Sequence, residues 1–200
     1  ASLPLRITND SMTIAKSSIP VGDGKFMLGG TLLYGPGPTV FRFQPGTIAE
    51  SIQLTEKMTD GFIEFIAPPV HRVERIRGEI GLEIIRGTIV IRSLDQSHIT
   101  GRLNIGHAEM SLTPMMRELK DAVAKLRSTT QGQSSADHEI SEGKITVPKQ
   151  TVDFDLDLGV ANHRRVQFDI DGTTLASSGD VALDGKLAII IEVPRHGDLF

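Results

Sequence analysis

The sequence predicts a mainly β (α+β) fold, in which a long twisted antiparallel sheet curls around one or two amphipathic helices. Three observations support this prediction. Most of the chain alternates apolar and polar residues with a period of two, which is typical of strands with one buried face. Turn residues and Asp-Gly pairs separate these stretches at hairpin spacing. Only two segments show helical periodicity instead.

Six stretches upstream of residue 111 have the alternating character of strands. The clearest turn between them is Gly35-Pro36-Gly37-Pro38, because glycine and proline both interrupt regular structure. The predicted strands lie near residues 4–9, 25–34, 39–44, 76–84, 87–93 and 97–110.

The strongest alternation lies in residues 150–193. Apolar residues there alternate with Asp153, Asp155 and Asp157, and the pattern returns at 166–170 and at 187–193. Between these last two stretches lie the turn signals Asp171-Gly172 and Asp184-Gly185. This predicts an antiparallel meander with one apolar face. That face is the candidate functional surface, which either lines a lipid site or forms core. It comprises Val152, Phe154, Leu156, Val166, Phe168, Ile170, Leu187, Ile189 and Ile191.

Two segments favour helices. Thr55 can cap a helix over 55–66. A stronger candidate covers 113–127, where Thr113 precedes Pro114 at the first helical position. Its apolar residues fall on one stripe, which adds Met115, Leu119 and Val123 to the candidate apolar face.

The whole chain, 1–200, is predicted to be a single fragment of a larger protein, because its first residues lack a targeting signal and already have the pattern of a strand. Residues 128–142 are rich in Ser, Thr, Gln and Gly, which predicts a mobile loop. A finer division places two similar units at 1–127 and 140–200, joined by that loop.

Composition excludes several classes of function. The net charge of −4 and the pI near 5.9 argue against nucleic-acid binding, which depends on Lys and Arg at phosphates. The absence of cysteine excludes disulfides and thiolate metal sites. The longest apolar run, Leu187 to Ile191, is far too short to span a bilayer. The short basic stretch His163-Arg164-Arg165 predicts a solvated strand edge.

No motif in the sequence predicts a catalytic residue, a metal site or a cofactor, so enzymatic activity is disfavoured. The aspartates at 153–157 resemble the start of a calcium loop, but Leu158 and Arg164 occupy the positions that require Gly and Glu. These carboxylates are therefore predicted to form a solvated strand face. The six histidines, at 71, 98, 107, 138, 163 and 196, have no metal-binding spacing and are predicted to lie at the surface or at strand edges.

The segments described above resemble a known family. The final block, TVDFDLDLGVANHRRVQFDIDGTTLASSGDVALDGKLAIIIEVP, resembles the C-terminal repeat region of AsmA/TamB-like envelope proteins, in particular their large planctomycete-type relatives. In those proteins strands recur with an acidic-Gly turn, Ser-Gly, and Leu-Asp-Gly before an aliphatic strand that ends in Val-Pro. The similarity extends upstream through IAESIQLTEKMTDGFIEFIAPPV, the strands of 78–110 and helix 113–127, and covers roughly residues 39–194.

This resemblance implies a bacterial cell-envelope protein on the periplasmic side, associated with the membrane through a segment outside this chain. It further implies a non-catalytic module for lipid handling or outer-membrane homeostasis, with acyl chains carried along the apolar sheet face. Helices interrupt the strands here and the run is short, which departs from the family pattern. The alternative is therefore a structural or protein-interaction domain with a fully packed core and no ligand.

Overall fold

The computed structural model describes residues 4–55, 75–112, 114–131, 144–170 and 172–193. These residues form a mainly β fold, which confirms the predicted class, with fourteen strands in one antiparallel sheet. The strands are β1 Leu5–Ile7, β2 Ser11–Val21, β3 Gly24–Leu33, β4 Val40–Phe43, β5 Gly46–Gln53, β6 Ile76–Arg77, β7 Glu79–Val90, β8 His98–Ile105, β9 Ala108–Ser111, β10 Lys144–Val147, β11 Gln150–Asp157, β12 Val160–Ile170, β13 Thr173–Ala182 and β14 Leu187–Glu192, and the helix α1 is Pro114–Gln131.

Several of these strands are parts of longer, bent strands. Gly106 and His107 separate β8 from β9, and Pro148 and Lys149 separate β10 from β11. The register of β8 with β11 is nevertheless the same as that of β9 with β10, so each pair of segments forms one long strand. In the same way β4 continues into β5, and both segments pair with β3 and β7. β6 continues into β7, and these segments pair with β9 and β8. Bulges shift the register along both of these long strands. The sheet is therefore a sequential meander, in which each long strand pairs with the one before it and the one after it.

The strands β1–β3 repeat the pairing geometry of β11–β13. Leu5 corresponds to Phe154 and Leu33 to Ala182, and both hairpins shift register at the same point of the first strand. Three pairs in β1–β3 have equivalents in β11–β13. Leu5–Ile14 corresponds to Phe154–His163, Ile14–Gly30 to His163–Gly179, and Ser17–Leu28 to Val166–Ser177. The division into units 1–127 and 140–200 stays a prediction, whereas this three-strand repeat is a property of the described structure.

The predicted meander at 150–193 is confirmed as the consecutive strands β11 to β14. The predictions upstream were less complete. Residues 76–84 and 87–93 do not form two strands but one continuous line, because a bulge between Ile84 and Arg86 absorbs the irregularity that resembled a turn. Strands β2, β5 and β10 were missed. Serines and Pro20 obscure the alternation in β2, but an edge position tolerates proline.

Helix α1 starts at Pro114, as the sequence predicts, and ends at Gln131. The prediction of a loop from Ser128 was therefore wrong for its first four residues, 128–131. Polar residues such as Ser, Thr and Gln have only mildly unfavourable helix propensity, and the first glycine after Pro114 is Gly132. The predicted helix at 55–66 and the predicted loop at 132–142 lie outside the described residues, apart from Thr55, which has no regular structure.

The core lies on one face of the central and C-terminal strands, where α1 begins. Leu103 and Val152 from the sheet and Met116 from α1 are at most 1 % exposed and belong to one cluster. Each large apolar side chain buried in this way contributes about 1.5–3 kcal/mol. The sheet is thus closed over the first turns of the helix, which is the curl that the sequence predicts.

Candidate functional site

The candidate apolar face of the meander falls into a closed region and an exposed margin. Five of its residues in β11 and β12 are between 0 % and 4 % exposed, namely Val152, Phe154, Val166, Phe168 and Ile170. Leu156 packs against the same cluster and is partly buried. In β14, Ile191 also packs against the cluster, Ile189 is half-buried, and Leu187 is 54 % exposed.

One of the three predicted helix residues can be placed against the core. Leu119 is partly buried against the core cluster. The side chains of Met115 and Val123 lie outside the described part of the structure, although both positions belong to α1.

The apolar face continues across the sheet well beyond the meander. Directly opposed residues of antiparallel strands have their side chains on the same face. Following these partners from β11 to β2 gives one row of apolar residues. Its members are Val152, Leu103, Leu82, Ala49, Phe26 and Ile19.

The two ends of this row differ in exposure. Val152 is 0 % exposed and Leu103 is 1 % exposed, whereas Phe26 is 36 % and Ile19 is 40 % exposed. The same face of one sheet is therefore covered at its centre and uncovered towards its N-terminal edge.

A second row leads to the same uncovered edge. It runs through Ile89, Phe41, Leu32, Met12 and Ile7. Ile7 is 68 % exposed, and Leu5, which pairs with Ile14 on the same face, is 51 % exposed. We call Leu5, Ile7, Ile19 and Phe26 the open end of the apolar face.

Sequence reasoning did not identify the open end. Residues 11–21 were not predicted as a strand, so Ile19 could not be assigned to a face. The alternation of Leu5 with Ile7 and of Met12 with Ile14 was the available signal. Only the pairing of β1 with β2 places these side chains beside Phe26 and the row behind it.

Glycines make room for aromatic rings on this face. A Cβ atom at Gly101 would lie 2.7 Å from Cζ of Phe154, and one at Gly30 would lie 2.7 Å from Cζ of Phe41. Each ring therefore lies across a glycine of the neighbouring strand, as in strand pairs where an aromatic residue covers a glycine. The face is shaped by ring and glycine pairs as well as by aliphatic side chains.

His163 is buried in the closed region, so the prediction of a surface histidine was wrong at this position. β12 lies between β11 and β13 rather than at an edge, and His163 pairs with Phe154 on the apolar face. Its Nε2 lies 3.0 Å from the hydroxyl of Ser177. Burial lowers the pKa of His163, while the Asp180 carboxylate and the Gly179 backbone act in the opposite direction. The two other histidines in the described residues, His98 and His107, are exposed as predicted.

A histidine hydrogen-bonded to a serine is also the first part of a nucleophilic pair. Here Ser177 and His163 are each 1 % exposed, and Nδ1 of His163 has no hydrogen-bond partner among the described residues. A nucleophile needs access to its substrate and a base that is oriented by a third group. The pair is better explained as a hydrogen bond that satisfies two polar groups inside an apolar core.

The opposite face of β11 is polar and solvated, which confirms the prediction for its aspartates. Asp153 lies 3.2 Å from Arg102 of β8, and Asp155 lies 3.6 Å from Arg164 of β12. Asp157 contacts His98. Each carboxylate thus pairs with a cationic or titratable group on an adjacent strand. Across the described ranges, no three His, Asp or Glu side chains are grouped in a way that could hold a metal ion.

Comparison with known proteins gives no match, whether to family models, to curated proteins or to solved structures. Among the described residues, no helix has both the length and the hydropathy needed to cross a membrane.

Proposed function

We propose that this chain is a non-catalytic module of a bacterial cell-envelope protein, and that it handles lipid by holding acyl chains against the apolar face of its sheet. The observation that carries this proposal is the exposure gradient along the row from Val152 to Ile19. A face that is continuous with a packed core and then left uncovered offers apolar surface to a ligand.

The chemistry of the open end suits an acyl chain. Its four residues are aliphatic or aromatic, and their direct partners Met12, Ile14 and Ala49 are apolar as well. Acyl chains need apolar area and no hydrogen-bond partners, so such a surface binds them through the hydrophobic effect alone. A sugar or a nucleotide would in addition require convergent polar groups, and none of the four open-end residues has a polar side chain.

The resemblance to AsmA/TamB-like proteins points in the same direction. A sequential antiparallel meander with one apolar face fits the role of a surface along which lipid is shielded. On this proposal, a segment outside the chain anchors the parent protein, the sheet lies on the periplasmic side, and nucleic acids are not partners.

The packed core favours a second candidate, a structural or protein-interaction domain without a ligand. The predicted lining at 152–170 is almost fully buried, so lipid cannot reach it without opening the core. If this candidate is right, the exposed residues of β1–β3 contact another protein surface instead of lipid.

A binding assay separates these candidates. We expect the chain to retain acyl chains in native mass spectrometry after mild extraction, and to bind a fluorescent fatty acid in solution. Ile7→Asp and Phe26→Asp should each weaken that binding, because a carboxylate at the open end disfavours an apolar ligand. Leu158→Asp is the matched control, since Leu158 is 66 % exposed but lies in the turn between β11 and β12 and not in β1–β3.

A chain that carries no acyl chains and does not bind the probe would exclude lipid handling by this module. Equal loss of binding in Leu158→Asp and Ile7→Asp would show that the probe binds exposed apolar residues without regard to the sheet face. Either result would favour the structural or protein-interaction candidate.

A further inference from the structure

The last strand, β14, has an edge that is open to another strand. Among the described residues β14 pairs with β13 alone. Its segment Leu187–Ile191 contains neither charge nor proline, and Ile190 is 65 % exposed. Exposed strand edges are usually protected by such residues, and at the other end of the sheet the part of β2 beyond its pairs with β1 has both Lys16 and Pro20. The edge of β14 therefore lacks the protection found at the other end of the sheet.

The free hydrogen-bonding groups of this edge can be assigned. The Lys186 carbonyl accepts a hydrogen bond from the Ala182 amide at 2.9 Å. In an antiparallel ladder alternate residues bond to the same neighbour. The amides and carbonyls of Leu187, Ile189 and Ile191 therefore point away from β13, towards the open edge.

The sequence of β14 is complementary to itself when a second copy runs antiparallel to it. With Ile189 opposite its own counterpart, Leu187 lies opposite Ile191, and Lys186 lies opposite Glu192. The outward backbone groups then face each other, and an opposite-charge pair forms at both ends of the ladder. A register centred on Ile190 would place Glu192 opposite Ala188 and form no ion pair. The charges therefore select the first register.

We propose that β14 is a dimerisation edge, which pairs with β14 of a second copy of this chain in the register centred on Ile189. The pairing is isologous and closes with two-fold symmetry. It joins the sheets of two copies, so that Leu187, Ile189 and Ile191 meet their counterparts on the apolar face. This proposal does not depend on lipid binding.

Charge reversal tests the proposal. In sedimentation velocity, the wild-type chain should form dimers with rising concentration. Lys186→Glu and Glu192→Lys should each raise the dimer dissociation constant roughly tenfold or more, since both ends of the ladder then bring like charges together. Lys186→Glu should have the larger effect, because residue 186 lies beside Asp184, which Lys186 contacts at 2.6 Å. The Asp184 carboxylate adds to the repulsion between two glutamates, whereas it attracts the lysine introduced by Glu192→Lys. The matched control is Lys149→Glu, which reverses an exposed lysine in the break between β10 and β11.

An equimolar mixture of the two variants gives the decisive result. In a mixed dimer, the introduced glutamate of one variant faces the introduced lysine of the other at one end of the ladder. At the other end, the native Glu192 of the first variant faces the native Lys186 of the second, so both ends again carry opposite charges. We expect the mixture to dimerise at concentrations at which each variant alone stays monomeric.

Two outcomes overturn the proposal. One is a wild-type chain that stays monomeric from micromolar to millimolar concentrations, and the other is a mixture of the two variants that shows no recovery of the dimer. Circular dichroism of each variant shows whether the sheet has folded.

Discussion

Strands β2 and β12 occupy equivalent places in the two repeated hairpins, yet their surroundings differ. Both have eleven residues, and both shift register after the fourth residue. β12 contains five buried residues, at 161, 163, 166, 168 and 170, whereas β2 contains none. Hairpin geometry is therefore set locally by strand pairing, and burial is set by what packs on the sheet. Lipid, a protein surface or solvent could cover the apolar face of the N-terminal copy without changing its backbone.

Truncation of equivalent residues should give the largest difference between the two copies. Phe154 is 1 % exposed and Leu5, its equivalent, is 51 % exposed. Phe154→Ala should lower the free energy of unfolding by about 3–5 kcal/mol, because it leaves a cavity in the core. Leu5→Ala should lower it by less than about 0.5 kcal/mol. Urea unfolding followed by circular dichroism measures both, and similar losses would contradict the closed and open assignment.

A smaller effect should appear in both copies. A Cβ atom at Gly179 would lie 2.1 Å from the Ala188 carbonyl oxygen, and one at Gly30 would lie 2.4 Å from that of Arg42. Gly179→Ala and Gly30→Ala should therefore each cost about 1–3 kcal/mol, because backbone has to move. The cost should be the larger at Gly179, since its φ of +149° also disfavours a side chain. Gly35→Ala is the control, since its nearest neighbour would be 3.7 Å away. A neutral Gly30→Ala, measured by urea unfolding, would mean that the repeat is not maintained at that position.

The pH dependence of stability should reveal the buried histidine of the closed copy. Because burial lowers the pKa of His163, the unfolded chain binds a proton that the folded chain does not. The free energy of unfolding should therefore fall as the pH drops through and below the ordinary histidine range, near 6.5, and recover above it. His163→Gln can keep the bond to Ser177 and should flatten this dependence. An unchanged slope between about pH 5 and 8 in that variant would place its origin in other groups.

The smallest effect is expected on the polar face. Asp153 is bridged to Arg102 at 3.2 Å, but both side chains are about half exposed. Asp153→Asn should therefore change the free energy of unfolding by only about 0.2–1 kcal/mol, and less in high salt. A loss as large as that of Phe154→Ala in the same denaturation assay would show that the polar face is structurally more important than its exposure suggests.

The sequence predicted those parts of the fold in which the local pattern and the tertiary environment agree. In 150–193, alternation, Asp-Gly turns and burial all coincide, so four strands and the inward set around Phe154 followed from the pattern. The pattern could not distinguish Val152 from Ile19, because both are aliphatic strand residues. Their difference depends on α1 and on the curl of the sheet, which are long-range properties. His163 was misassigned for the same reason, since a basic tripeptide gives no sign that its first residue turns inward.

The sequential order of the sheet has a consequence for how the protein can change in length. Every long strand finds its partners next to it in the chain, so most strand pairs are hairpins closed by short connections. A hairpin can then be added or deleted at either end without rethreading the rest, much as a repeat is added to a solenoid. The width of the apolar face is therefore a quantity that evolution, or a designer, can adjust two strands at a time.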